Sequence, residues 1–98
     1  MKYLEPWYSV QSGNSLLNEL KKEMTENHSL HGLSVEVIAR RGDCDDILIR
    51  IIDDSSRVAV VHLTWAEETN DNYPKTEIYE NMNDWRENRM IPDHEMWI

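Results

Sequence analysis

The segment Arg57–Trp65 constrains the fold more than any other part of this chain. It reads RVAVVHLTW and is rich in the β-branched residues that favour strands. Side chains alternate between the two faces of a strand, so Val60 and His62 share one face while Val61 and Trp65 share the other. Because apolar residues occur on both faces, we expect this strand to lie inside a sheet, with helices packed on one face of that sheet.

Three further segments have the composition of strands. Residues 34–41 alternate in polarity and place Val35, Val37 and Ala39 on one expected face, and residues 47–52 form a β-branched run. Short polar loops join these runs to Arg57–Trp65, which favours an antiparallel meander. Residues 75–79 are expected to add a fourth strand at the edge.

Helices are predicted on both sides of these strands. Leucines and a methionine share one face over residues 15–27, and a second helix should begin at Asn81 and end at Pro92. We therefore predict one α+β domain over residues 1–98, with a three- or four-stranded antiparallel sheet and an N-terminal and a C-terminal helix. Residues 1–13 are interpreted as an aromatic arm or short edge strand, and residues 91–98 as a tail.

The charge of the chain narrows the choice of partners. The 98 residues carry a net charge of −9, which repels nucleic-acid phosphates and anionic membrane surfaces and favours a protein partner with a basic surface. Solubility alone is the simpler interpretation of the same charge. Cys44 is the only cysteine, so no intramolecular disulfide can form. Together with an N-terminus that lacks an apolar signal segment, this favours a cytoplasmic protein.

His62 and a group of nearby aspartates are the candidate chemical groups. A histidine at a strand end can act as a general base, although a half-buried histidine with a satisfied hydrogen bond is the commoner case. Carboxylates clustered in a turn can bind hard cations, but Leu48 stands where a calcium-binding loop needs glycine. We therefore expect no catalytic residue, no metal and no cofactor. The aspartates concerned are Asp43, Asp45 and Asp46.

Aromatic and acidic residues offer candidates for contact with a partner. The chain has four tryptophans and no phenylalanine, and tryptophan is enriched at binding hot spots. Trp65 and Trp85 are expected mainly in the core, although Trp65, at the end of its strand beside His62, is also a candidate for contact with a partner. Trp97 is expected either to contact a partner or to fold back onto the sheet. A second acidic loop, between the third strand and residues 75–79, is expected to form the rim of an interface through Glu67, Glu68 and Asp71.

Half of the chain resembles a group of small uncharacterised bacterial proteins. The resemblance is carried by the turn GDCDD at 42–46, the strand VAVVHLTW at 58–65, the segment PKTEIY at 74–79 and Trp85. The strand is its most specific part. Because the group has no known activity, the resemblance assigns no catalytic residue.

Three interpretations of function remain open from the sequence. The favoured one is a non-enzymatic protein-binding module of the bacterial cytoplasm, of the inhibitor or immunity type, that docks on a basic surface. The first alternative is a small hydrolase or ligand-binding domain that uses His62 with the loop Asp43–Asp46. The second alternative is a structural homodimer subunit. A ligand beside His62, a large apolar two-fold interface or a basic partner would distinguish the three.

Overall fold

A single antiparallel sheet of five strands organises the protein. The computed structural model describes residues 2–65 and 74–98. Neighbouring strands in the sheet follow chain order. They are β1 (Trp7–Ser9), β2 (Val35–Arg41), β3 (Asp46–Ile51), β4 (Val58–His62) and β5 (Thr76–Tyr79). The α+β class and the antiparallel sheet are confirmed. The expectation of three or four strands is wrong, because the aromatic arm contributes β1 as an additional edge strand.

Two helical layers cover opposite faces of the sheet. Helix α1 (Asn14–Glu23) lies between β1 and β2 in the chain. At the other end of the chain, three helical segments follow one another directly and together form the C-terminal helix. These are α2 (Met82–Trp85), a π-helical segment (Arg86–Met90) and α3 (Ile91–Trp97).

The two faces of the sheet therefore belong to two cores. Leu16 and Leu20 of α1 pack in one core with Val61 of β4. Trp85 of the C-terminal helix packs in the other core with Val60. The expectation that the helices share one face is wrong, since the apolar residues on both faces of β4 each need a covering layer.

A bulge in β2 changes the expected alternation. Val37 pairs with Ile49, but the next paired residue of β2 is Ala39, opposite Leu48. Ile38 is the extra residue, and both Ile38 and Ala39 pack in the core beneath the C-terminal helix. The expectation that Ala39 shares a face with Val37 is therefore wrong, because one inserted residue reverses the facing of the rest of the strand.

The C-terminal helix begins as expected but continues further. The backbone N–H of Asp84 donates to the side-chain oxygen of Asn81 at 2.8 Å, so Asn81 is the helix cap. Pro92 does not end the helix. It lies in the first turn of α3, directly after the π-helical segment Arg86–Met90, and the backbone stays helical through it. Residues 91–97 are thus helical, and the interpretation of 91–98 as a tail is wrong.

The aromatic arm packs beneath the C-terminal helix. Trp7 and Trp85 meet edge to face with ring centroids 5.1 Å apart, and Tyr3 contacts Trp85 at 6.0 Å. Trp7 and Trp85 are fully buried. In residues 2–65 and 74–98, the helices are all too short or too polar to cross a bilayer.

Candidate functional site

A cluster of charged side chains lies at the end of the sheet where β3 begins and β4 ends. Asp46 and His62 are paired across these strands. The Asp46 carboxylate is buried and its Oδ1 lies 2.7 Å from Nδ1 of His62, whose side chain is 53% exposed. A carboxylate at Nδ1 fixes the orientation of an imidazole and leaves the opposite nitrogen facing solvent.

Arg89 connects this pair to the C-terminal helix. Its guanidinium forms an ion pair with Oδ2 of Asp46, and it also meets Asp93 at 2.8 Å and Glu77 at 3.3 Å. Burial acts to lower the pKa of Arg89, but the hydrogen bond to Asp93 and the charges of Asp93 and Asp46 outweigh it and raise the pKa. Arg89 therefore stays charged and compensates the buried Asp46 carboxylate.

The ion pairs continue across the helix towards β2. Asp93 accepts a hydrogen bond from the Trp7 indole N–H at 2.8 Å and lies 3.3 Å from Arg41. Arg41 in turn meets Asp43 at 2.7 Å, and this hydrogen bond lowers the pKa of Asp43. The carboxylates of Asp43 and Asp46 are thus each paired with an internal arginine.

Tyr79 and Glu77, both on β5, border the cluster formed by Asp46, His62 and Arg89. The Tyr79 hydroxyl donates to Glu77 at 2.7 Å. Burial together with this hydrogen bond raises the pKa of Tyr79 to about 12. Tyr79 therefore remains protonated at neutral pH and serves as a hydrogen-bond donor to the carboxylate.

The pocket beside His62 is small. It has a volume of about 150 Å³, and its lining is polar or charged except for Val60. Pockets for substrates and drug-sized ligands usually measure about 300–1,000 Å³. None of its described lining residues is a serine, threonine or cysteine. The lining residues are Asp46, Val60, His62, Lys75, Glu77 and Arg89.

A second polar cluster lies on the face of the sheet that α1 covers. It contains two neighbouring carboxylates at the end of α1, Glu19 and Glu23. Glu23 is fully buried and accepts hydrogen bonds from the backbone N–H and hydroxyl of Thr64 and from the backbone N–H of Trp65. Burial acts to raise the pKa of Glu23, but hydrogen bonds from Glu19, Thr64 and Trp65 lower it overall. The hydrogen bond with Glu23, followed by burial, raises the pKa of Glu19. The proximity of the two carboxylates thus favours the protonated form of Glu19.

The hydrogen bond from the Trp65 backbone to Glu23 accompanies a position of Trp65 that differs from the expected one. β4 ends at His62, so the strand alternation does not extend to Trp65. Trp65 has a φ of +57° and its side chain is 53% exposed. The expectation that Trp65 lies in the core is therefore wrong, whereas the same expectation for Trp85 is confirmed.

The structure brings some of the predicted residues together and separates others. Asp43, Asp45, Asp46 and His62 lie at one end of the sheet, and Trp65 follows β4 at the same end. Trp97 is 49% exposed in α3 and lines a separate groove beside the arm. The predicted rim residues Glu67, Glu68 and Asp71 lie outside the described residues.

The sequence did not reveal the residues that complete the cluster around Asp46 and the cluster at the end of α1. Arg89 and Glu23 carry no local motif, and their contacts span 43 and 41 positions of the chain, respectively. The only signal was the i,i+4 spacing of Arg89 and Asp93 on one helix. Within residues 2–65 and 74–98, histidine, cysteine and acidic side chains form no group of three or more that could hold a metal ion.

Fold and site together define a small α+β domain whose polar clusters connect each helical layer to one end of the sheet. Comparison with known proteins gives no match to any family model, curated protein or solved structure. The resemblance to small bacterial proteins with a similar strand therefore stays a prediction.

Proposed function

We propose that this protein is a non-enzymatic binding module of the inhibitor or immunity type, which docks on a basic surface of a protein partner. The observation that carries the proposal is the distribution of charge between the interior and the surface. A bacterial cytoplasmic location belongs to the same proposal and is supported by the lone Cys44.

Most of the arginines form ion pairs within the protein. Arg41, Arg57, Arg86 and Arg89 each pair with a carboxylate of the same chain. Many exposed carboxylates, in contrast, form no ion pair with the described residues, so the field that a partner meets is negative. These carboxylates are Glu5, Glu26, Glu36, Asp45, Asp54, Glu80 and Glu95.

Exposed aromatic side chains supply the anchors that such a surface needs. Trp65 stands beside the acidic end of the sheet, and Trp97 is half exposed on α3. Tryptophans that become buried on binding dominate the affinity of many interfaces, while charges at the rim set the rate of association. A basic partner would therefore be steered by the carboxylates and retained by a tryptophan.

The proposal is tested by binding kinetics with a partner captured from the native host. Added salt should slow association, and neutralising Glu67, Glu68 and Asp71 should flatten that salt dependence. Asp45→Asn should have the same effect to a smaller degree. Asp54→Asn is the control for the change in net charge alone, because Asp54 lies beyond the opposite end of β3 from Asp45 and should alter the salt dependence less than Asp45→Asn does.

The anchors are tested in the same assay. Trp97→Ala or Trp65→Ala should speed dissociation and leave the association rate within about threefold. The proposal fails if no partner is recovered, or if binding to a recovered partner responds neither to salt nor to any of these substitutions.

The separation of 2.7 Å between Asp46 and His62 favours a second candidate function, hydrolysis or ligand binding at His62. In that case His62→Gln should abolish the hydrolysis of an activated ester such as p-nitrophenyl acetate. His31→Gln is the control, because His31 is also exposed and lies outside the cluster. Equal rates for the two variants would exclude hydrolysis at His62.

A homodimer subunit is the remaining alternative from the sequence. Light scattering across a range of protein concentrations measures it directly. A monomer at all concentrations would remove this alternative without affecting the binding-module proposal.

A further inference from the structure

Among residues 2–65 and 74–98, β5 is an edge strand of the sheet. Within these ranges its strand neighbour is β4, which it meets through the pairs Val61 with Thr76 and Ala59 with Ile78. An edge strand exposes a row of unpaired backbone N–H and C=O groups, which can bind another extended chain.

The register of β5 shows which backbone groups face outward. The N–H of His62 donates to the C=O of Lys75 at 2.9 Å, so Lys75 directs its carbonyl towards β4. Hydrogen bonding alternates along an antiparallel pair, which places the backbone groups of Glu77 and Tyr79 on the same inner side. The N–H and C=O groups of Thr76 and Ile78 therefore point away from the sheet.

The start of β5 is fixed by the buried side chain of His28. The Leu30 N–H donates to Nδ1 of His28, so Nε2 carries the proton and donates to the C=O of Pro74 at 2.9 Å. The Thr76 hydroxyl lies 3.2 Å from the same nitrogen. The open edge is thus held in an extended form before any partner binds, which lowers the cost of pairing.

The two faces of β5 differ in chemistry. Ile78 stands on the α1 face, opposite Ala59, and is 43% exposed. Glu77 stands on the other face, where it pairs with Arg89 at 3.3 Å but keeps a side chain that is 65% exposed. Lys75 precedes the strand and Glu80 follows it. An added strand would therefore place apolar side chains beside Ile78 and basic side chains beside Glu77.

We propose that β5 takes up an extended basic segment of the partner protein as a sixth strand, with apolar and basic residues alternating along that segment. This inference rests on the proposed binding function and specifies its mode. Charge complementarity selects the occupant. A second copy of the chain would bring another net charge of −9 and would place Glu77 and Glu80 of both copies along one edge.

The probe is a blocked hexapeptide of alternating lysine and valine, titrated into the ¹⁵N-labelled protein. We expect the amide resonances of Thr76 and Ile78 to shift in a saturable way and their hydrogen exchange to slow on binding. Raising the salt concentration should weaken this binding. A peptide methylated on alternate backbone nitrogens should bind at least about tenfold more weakly, because it lacks the donors for strand pairing.

Ile78→Pro is the decisive variant. Because the N–H of Ile78 points outward, proline at this position removes an edge donor and spares the hydrogen bonds to β4. We expect a loss of affinity of about tenfold or more. Ile78→Thr is the matched control, since it keeps the backbone donor and a β-branched side chain, and it should bind within about threefold of the parent.

Glu80→Gln tests the charge preference without disturbing an ion pair of the described residues. It should weaken the lysine-containing peptide about two- to threefold and reduce the salt dependence of its binding. Denaturant unfolding of each variant shows whether the fold is retained. If Ile78→Pro does not fold, the peptide methylated on alternate nitrogens tests the same backbone pairing on the unaltered protein.

The alternative outcomes separate this inference from the proposed function. Shifts confined to the region of Asp45 and Trp65 would overturn strand addition at β5 and leave docking on the acidic surface standing. Protection of Thr76 and Ile78 that depends on protein concentration without peptide would overturn it in favour of self-association. If no residue responds to the peptide, strand addition fails, while the kinetic test with the whole partner still decides the binding function.

Discussion

Truncation of Val60 and Val61 tests the two-layered architecture directly. These neighbours on β4 are 3% and 0% exposed, yet they face different cores. Val→Ala removes the equivalent of two methylene groups, which costs about 1.6 kcal/mol in transfer free energy at ~0.8 kcal/mol each. A cavity that does not collapse adds up to about 1 kcal/mol. Each variant should therefore lose ~1.5–3 kcal/mol of unfolding free energy.

The double variant makes the test specific for two separate cores. Although the residues are adjacent in sequence, their side chains share no core, so the two losses should add within about 0.5 kcal/mol. Urea unfolding measures the losses, with an unchanged m value showing that two-state unfolding is retained. Ile52→Ala is the control, because Ile52 is 55% exposed and its truncation should change stability by less than about 0.5 kcal/mol. A loss below that size at either valine would refute the sandwich of the sheet between two helical layers.

Three further predictions concern packing, protonation and metal binding. Gly13→Ala should destabilise the protein by about 1–3 kcal/mol in urea unfolding, because a Cβ at Gly13 would lie 2.7 Å from the Cβ of Val37; an unchanged midpoint would contradict this close approach. Glu19→Gln should stabilise the protein at neutral pH. Because the pKa of Glu19 is raised, its protonated form stabilises the fold fully at a pH below the ordinary pKa of 4.5. This contribution is lost as the pH rises through the raised pKa. Glutamine, in contrast, keeps a donor to Glu23 at every pH. The gain should therefore shrink as the pH falls below 4.5, and a constant difference in unfolding free energy across the pH range would show that no proton is shared. Calorimetry with Ca²⁺, Mg²⁺ or Zn²⁺ should show no stoichiometric binding, and a saturable isotherm that disappears in Asp45→Asn would prove a metal site.

Periodicity in the sequence was sufficient to predict the strands and helices whose side chains follow one regular pattern. The pattern correctly places the strands around Ile49 and Val60 and the apolar face of α1 with Leu20. The helix was expected to reach residue 27, however, and it ends at Glu23. In each case local alternation and burial favour the same structure.

The errors fall where a single residue changes the pattern. One inserted residue, Ile38, reverses the facing of the rest of β2, and a left-handed backbone at Trp65 carries that side chain out of the core. Pro92 ends a regular helix in most contexts, but here it begins a new helical segment after a π-helical turn. Local propensity carries no information on which residue will be inserted or unpaired.

The candidate site was predicted only in part for a similar reason. His62 and the aspartate turn were singled out from residue type, and the sheet register then places Asp46 opposite His62. Arg89 and Glu23 enter through contacts between elements far apart in the chain, and their contribution depends on which faces the helices cover. A sequence without an aligned family offers no signal for such pairs.

The pairing of Asp46 with His62 has a consequence for how the chain finds one register. Val58, Ala59, Val60 and Val61 are all apolar, so a slip of β4 by one residue would exchange valine for valine between the two cores. Hydrophobic burial alone would distinguish the two alignments poorly. After such a slip, however, His62 would lose its carboxylate and Asp46 would keep only Arg89 for its buried charge. The polar cluster at the end of the sheet thus favours one register of β4 over others that bury a similar apolar area. It affects which folded structure forms more than it affects the free energy of unfolding.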